Sequence, residues 1–288
     1  MPENKDLPLV PFPMKLYWGE LSKAQCKTES EAVKVTMIDY PKDDFRKRCA
    51  KMILTTWTDS PIKDLTREQV NTAFEEMLTG KTLPNPMEGL IFTFLIEGMS
   101  MTDVTHFLRH RTMSSVVAKT SGERDLRHDD YLIPTSINNS EFRHEYLKYI
   151  EMGKNLYAKM VDSRKISIMD ARHVLPRADL YFYYASMNLK DAIAYINQRK
   201  CSAVQTITDN LIAKGIFEEI SIIIPEIKNV VSLKCDKRCH FVNSPLDKNT
   251  RLYIPDATHA KLMEYNPNNY LYRKRRYEMG SPKTIQDE

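Results

Sequence analysis

Glycine is scarce in this sequence, with 8 among 288 residues, and none of them forms a GxGxxG fingerprint or a Walker A loop. A glycine-rich backbone cradle for phosphates is thereby excluded, and an anionic ligand has to be held by side chains. Cysteine is sparse as well. Cys26, Cys49, Cys201, Cys235 and Cys239 are odd in number and irregularly spaced, unlike the disulfide framework of a small secreted domain. No stretch approaches the roughly 18–20 uninterrupted apolar residues of a membrane helix, and the N-terminus lacks a basic start followed by an apolar run. A soluble, unexported, cytoplasmic protein is expected, with no membrane partner. Neither charge dominates. Lys and Arg number 42 against 38 Asp and Glu, for a net charge of +4, a balance that does not call for nucleic acid and suits a small anionic substrate.

With 42% hydrophobic residues the chain buries a sizeable core. The reading is an N-terminal extension over 1–30, one domain over 31–240, and a C-terminal extension over 241–288 whose tail, Tyr270 to Tyr277, mixes aromatic and basic residues. In "AVKVTMID", Val33, Val35 and Met37 alternate with polar residues, predicting a strand. Thr66 and Gln69 form a capping box, with Gly80 placed to end the helix that follows. The apolar run "GLIFTFLIEG" predicts a buried strand, and "SMTDVTHFLRHR" a helix delivering Arg109, His110 and Arg111 at its end. Residues 114–138 lack periodicity and predict a long loop, which in a compact domain is usually functional. Helical patterns are expected from Glu141 to Met169 and again from Asp179 to about Ile216. Periodicity alone supports a mixed α and β class.

Arginine is the natural phosphate ligand where glycine loops are missing, because its planar fork binds bidentately. Arg109, Arg172 and Arg199 stand in apolar or patterned surroundings. Each has an ordinary structural reading: a cation at a helix C-terminus for Arg109, a snorkelling side chain for Arg199. Together they point to an anion site. Cys201 reads as packing. Cys235, Cys239 and His240 lack a second ligand pair at finger spacing, so no metal site is expected.

The ordered blocks "EGLIFTFLIEG", "RHR", a loop ending in Ser121-Gly122 and followed by Arg124, "ARHVLP" and "MNLKDAIAYINQRKCSAVQ" resemble the flavin-dependent thymidylate synthases over roughly Val33 to Cys239. The resemblance implies an α+β fold with a central mixed sheet flanked by helices, and a homotetramer with active sites between subunits. It implies FAD bound by Arg109, His110, Arg111, Asn85 and Asn188. The nucleotide set it implies is His106, Arg109, Lys119, Ser121, Gly122, Arg124, Arg172 and Arg199, with Arg199 placed to polarise the pyrimidine and Gln205 following on the same helix. The implied reaction converts dUMP to dTMP, with methylenetetrahydrofolate as one-carbon donor and NADPH as reductant.

The sequence also departs from the family pattern. The spacer between Arg111 and Ser121 is longer than usual by two residues, Lys119 stands where glutamate is common, and "VQTITD" replaces a typical "AQWEIR". These changes surround flavin and nucleotide, so hydroxymethylation of dUMP, or methylation of another nucleotide such as UMP, stands as the alternative outcome. A non-catalytic nucleotide- or RNA-binding protein using the Tyr270–Tyr277 tail is the reading from a different class.

Overall fold

The computed structural model describes residues 24–110, 115–118, 125–200 and 206–231. The order of elements is β1 (Cys26–Lys27), α1 (Glu29–Ala32), β2 (Lys34–Asp39), α2 (Phe45–Thr55), α3 (Arg67–Leu78), β3 (Ile91–Ser100), α4 (Met101–Phe107) and β4 (Ser115–Ala118). There follow β5 (Tyr131–Leu132), α5 (Thr135–Asn138), α6 (Arg143–Asp162), α7 (Ile168–Ala171), β6 (Leu180–Asn188), α8 (Leu189–Arg199) and α9 (Ile207–Ile223). Among the described residues, four strands form the central sheet in the order β2-β3-β6-β4.

The α+β class stands, but the central sheet is antiparallel throughout rather than mixed. Parallel pairing among the described residues is confined to the two-residue β1 and β5. Burial along β3 gives the reason. A continuous apolar run suggests a strand covered on both faces, the habit of parallel sheets, yet Phe92, Phe94 and Ile96 are fully buried while Ile91 on the opposite face is exposed. One face meets the core, as antiparallel sheets allow.

The helix expected from Asp179 does not start there. Its first part is β6, which lies between β3 and β4. In "LYFYYASMN" the aromatic residues favour a strand, and period two is plain in the burial: Tyr181, Tyr183, Ala185 and Met187 are buried, Phe182 and Tyr184 exposed. The expected loop over 114–138 also carries β4, β5 and α5, pieces too short for a periodicity window to register. Elsewhere the patterns hold. Val35 and Met37 of β2 pack against the core, and α3 opens on the Thr66–Gln69 capping box, with Gly80 just past its end at φ 75°.

The core lies on one face of the sheet, where Phe45 and Cys49 of α2, Phe74 and Met77 of α3, Ile196 of α8 and Ile216 of α9 join the inward residues of β3 and β6. Each such aromatic or aliphatic side chain contributes about 2 kcal/mol on burial. A smaller cluster of Leu126, Tyr157 and Ala171 lies beside α6. Gly98 sits at a bulge in β3 with φ 82°, where an added Cβ would stand 2.1 Å from the carbonyl oxygen of Ala32. Only glycine fits both demands. Glu29 is buried and accepts from the backbone N–H and hydroxyl of Thr135, so packing begins within the stretch assigned by composition to an extension. No helix among the described residues is long and apolar enough to cross a membrane.

Strand register decides where the helices start. Ser100 of β3 pairs with Leu180 of β6, and Ile91 pairs with Asn188 at the other end. α4 therefore leaves one end of the sheet and α8 leaves the opposite end. Eleven helical residues span about 16 Å, and this length returns Arg199 to the C-terminal end of α4.

Candidate active site

Helix ends converge around Arg199. Ser100 and Asp103 cap the start of α4, Asn188 caps α8, and Thr206 caps α9 by accepting from the N–H of Asp209. The last turn of α8, the end of α4 and the first turn of α9 then meet. Arg199 is 7% exposed. Its Nε donates to Nε2 of His110 at 2.8 Å, Nη2 donates to the carbonyl of His106 at 3.0 Å, and Nη1 lies 3.5 Å from Oδ2 of the fully buried Asp209. Nδ1 of His106 lies 3.4 Å from the same carboxylate oxygen. The side-chain amide of Asn210 donates to the carbonyl of Arg199, closing the end of α8.

Burying a guanidinium is costly unless it is paired. Here the signs agree: Arg199 sits at the electronegative ends of two helices, and Asp209 sits in the electropositive first turn of α9. Burial, and then the Arg199 charge, lower the His110 imidazole to about 4 against the pull of Asp209, so His110 is neutral at physiological pH. Its ring packs edge-on against Tyr195 with centroids 4.7 Å apart. Burial drives the Tyr195 hydroxyl well above its ordinary range. Burial also raises Asp103, helped by the Asp209 charge and opposed by hydrogen bonds from Ser100.

The expected site residues divide into groups. His106, Arg109, His110 and Arg199 gather at the end of α4, with Arg109 exposed just beyond that helix. Asn188 begins α8, at the opposite end of that helix from Arg199 and about 16 Å away by helix rise, and Asn85 lies in the 3-10 turn that precedes β3. Asn188 uses both ends of its amide in capping: Oδ1 accepts from the N–H of Asp191 and Nδ2 donates to its carboxylate. Arg172 lines a cavity of about 380 Å³ with Met101, Leu126, Arg177, Asp179 and Tyr181, and Arg199 is not part of that lining. Arg111, Lys119, Ser121, Gly122, Arg124 and Gln205 lie outside the described residues, as do Cys201, Cys235, Cys239, His240 and the tail from Tyr270 to Tyr277. No metal-binding cluster occurs among the described residues.

Sequence reasoning missed Asp209, Asp103 and Asn210. A signal for Asp209 was present: Thr206 followed three residues later by an acid before an apolar run is a helix-start pattern, and the acid occurs where the family's block ends in arginine.

A sequence profile described as "Thymidylate synthase complementing protein" matches residues 29–226. The flavin-dependent thymidylate synthase of Clostridium tetani (strain Massachusetts / E88) is 25% identical over 214 residues, 68% of this chain and 85% of that relative. The enzyme of the same name from Nitratidesulfovibrio vulgaris is 27% identical over 165 residues, 53% of this chain and 65% of that relative. Among solved structures, the UMP/dUMP methylase PolB from Streptomyces cacaoi, bound with 5-Br dUMP, superposes with a TM-score of 0.57 at 15% identity, covering 72% of this chain and 96% of that one. The same methylase bound with 5-Br UMP gives a TM-score of 0.54 at 16% identity.

Proposed function

Because the chain belongs to the thymidylate synthase complementing protein family, we propose that it is a flavin-dependent enzyme that methylates dUMP at C5 to give dTMP. FAD is its cofactor, 5,10-methylenetetrahydrofolate the one-carbon donor and NADPH the reductant. The observation that carries the reading is Arg199, a guanidinium 7% exposed that donates by Nε to His110 and by Nη2 to the carbonyl of His106. C5 of a uracil ring becomes nucleophilic when charge developing on the ring oxygens is stabilised. A preorganised cation in a water-poor setting does this without reorganising during the reaction.

The residues present fit a flavin. Arg109 is an exposed guanidinium, and Nδ1 of His110 has no bond among the described residues. A guanidinium beside a ring N–H suits the phosphates and ring carbonyls of that cofactor. Bound flavin would supply the electron transfer for which the protein has no group of its own. His110, neutral and held by Arg199, orients a donor without adding charge. Arg172 binds the nucleotide dianion. Its cavity lacks Arg199, which supports a site completed by a second copy of the chain, in a homotetramer. The proposed compartment is the cytoplasm, in keeping with the free thiols Cys26 and Cys49.

A second reading, another pyrimidine nucleotide such as UMP or a hydroxymethyl product, is favoured by Lys119 and the longer spacer before Ser121. Mass spectrometry of the nucleotide formed anaerobically from dUMP or UMP, with methylenetetrahydrofolate and NADPH, decides between them. Methylated dUMP is the expected result; hydroxymethyl-dUMP, or turnover of UMP alone, overturns the first reading in favour of the second. Unchanged nucleotide in every mixture, from protein shown to hold flavin, overturns both.

A further inference from the structure

His110 and the carbonyl of His106 account for Nε and Nη2 of Arg199, and the charge beside its remaining nitrogen is not the one its family pattern supplies. Where "AQWEIR" ends in arginine, "VQTITD" ends in Asp209, which is fully buried. Asp209 is itself fixed, since its backbone N–H is held by Thr206 at the start of α9. Its Oδ2 meets Nη1 of Arg199 at 3.5 Å on one side and Nδ1 of His106 at 3.4 Å on the other. The guanidinium, turned toward Asp209 along one edge, presents Nε to His110 at 2.8 Å. Arginine has only donors, so Nε2 of His110 is the acceptor and the ring proton of neutral His110 resides on Nδ1.

We propose that Asp209 is a positioning residue of this site: its carboxylate holds Arg199 so that Nε donates to His110, and this fixes His110 as the neutral tautomer with its proton on Nδ1. The consequence is a directional relay from the first turn of α9, through Arg199, to a ring N–H at the end of α4. Among the described residues, the other titratable groups facing Asp209 are Asp103 and His106 from α4 and Tyr195 from α8. A carboxylate is suited to the task because it attracts the cation across this ion pair, whereas arginine at position 209 would repel Arg199. The proposal rests on Arg199 acting in the reaction proposed above, but its first test needs no turnover.

Histidine 15N–1H correlation spectra of the flavin-loaded protein, with His110 assigned through its loss in His110→Gln, are expected to show the Nδ1–H tautomer alone from pH 8 down to pH 5. Asp209→Asn is expected to introduce the Nε2–H form and to lower kcat about tenfold or more, the scale of a small misplacement. The nucleotide KM should stay within about threefold, and Asp209→Glu should restore most of the rate. A wild-type His110 protonated on Nε2 overturns the proposal whatever the variants do, including an Asn variant that fails to fold. So does Asp209→Asn with unchanged tautomer and unchanged kcat. If no nucleotide turns over while the tautomer behaves as stated, the proposed reaction fails and the Asp209 link stands.

Discussion

Arg199 donates its Nε–H to Nε2 of His110 at 2.8 Å, which makes one hydrogen-bonded unit of a residue assigned to the nucleotide and a residue assigned to the flavin. Arg199→Lys keeps a cation opposite Asp209 but loses the planar fork. The expected result is a fall in kcat/KM of about 100-fold or more, with the thermal unfolding midpoint changed by only a few degrees. Arg199→Ala differs because it strands a buried carboxylate, a loss of about 3–5 kcal/mol. An active Arg199→Lys enzyme with unchanged kcat/KM removes Arg199 from the proposed mechanism.

His110 makes stability depend on pH with a definite sign. Its folded-state value, about 4, lies below its ordinary value of 6.5, so between these limits the unfolded chain holds a proton that the folded chain refuses. Stability from this group is full above pH 6.5 and is lost as pH falls toward 4. The whole shift corresponds to about 3 kcal/mol, and screening of the half-buried ring reduces this to about 1 kcal/mol. Urea unfolding at pH 7 and pH 5 is expected to show a smaller acid loss in His110→Gln than in the wild type. Equal losses would mean that His110 is protonated in the folded protein as easily as in the unfolded chain.

Lys154 ties the long helix α6 to the segments that lead into β5 and β6. Its ammonium lies 3.2 Å from the buried Asp179 and donates to the carbonyl of Asp129. Lys154→Met removes this cation from a desolvated carboxylate and is expected to cost about 3 kcal/mol in urea unfolding. Adding Asp179→Leu should recover much of that loss, because an apolar pair avoids desolvating both charges. A double variant weaker than the single one by the full Asp179→Leu cost would show that the two side chains act independently.

What was legible in the sequence depended on how local the signal was. The capping box at Thr66 and Gln69 and the alternation of Val35 and Met37 involve neighbours within one turn or one strand, and both appear in the structure. β6 escaped because "LYFYYASMN" contains apolar residues at helical as well as strand spacing, and its pairing with β3 joins segments about 90 residues apart. The cluster at Arg199 was legible in part. Arg109, His110 and Arg199 stand in recognisable blocks, whereas the roles of Asp103 and Asp209 come from helix ends that meet only in three dimensions. That Arg172 lines a cavity with Arg177 and Asp179 is likewise a property of the folded chain.

Asn188 tests whether a family assignment survives a structural duty at the same atom. Its amide caps α8, accepting from the N–H of Asp191 at 2.9 Å and donating to the Asp191 carboxylate at 2.7 Å, which accounts for the residue without any flavin. Asn188→Ser replaces one good N-cap with another but removes the carboxamide, whereas Asn188→Ala removes both and costs about 1 kcal/mol. If the amide also contacts flavin, the Ser variant keeps near-wild-type stability yet loses bound flavin, measured as absorbance near the flavin band after gel filtration, as much as the Ala variant does. That is the outcome expected from the proposed function. Flavin retention in Asn188→Ser equal to that of the wild type would assign this residue to helix capping alone.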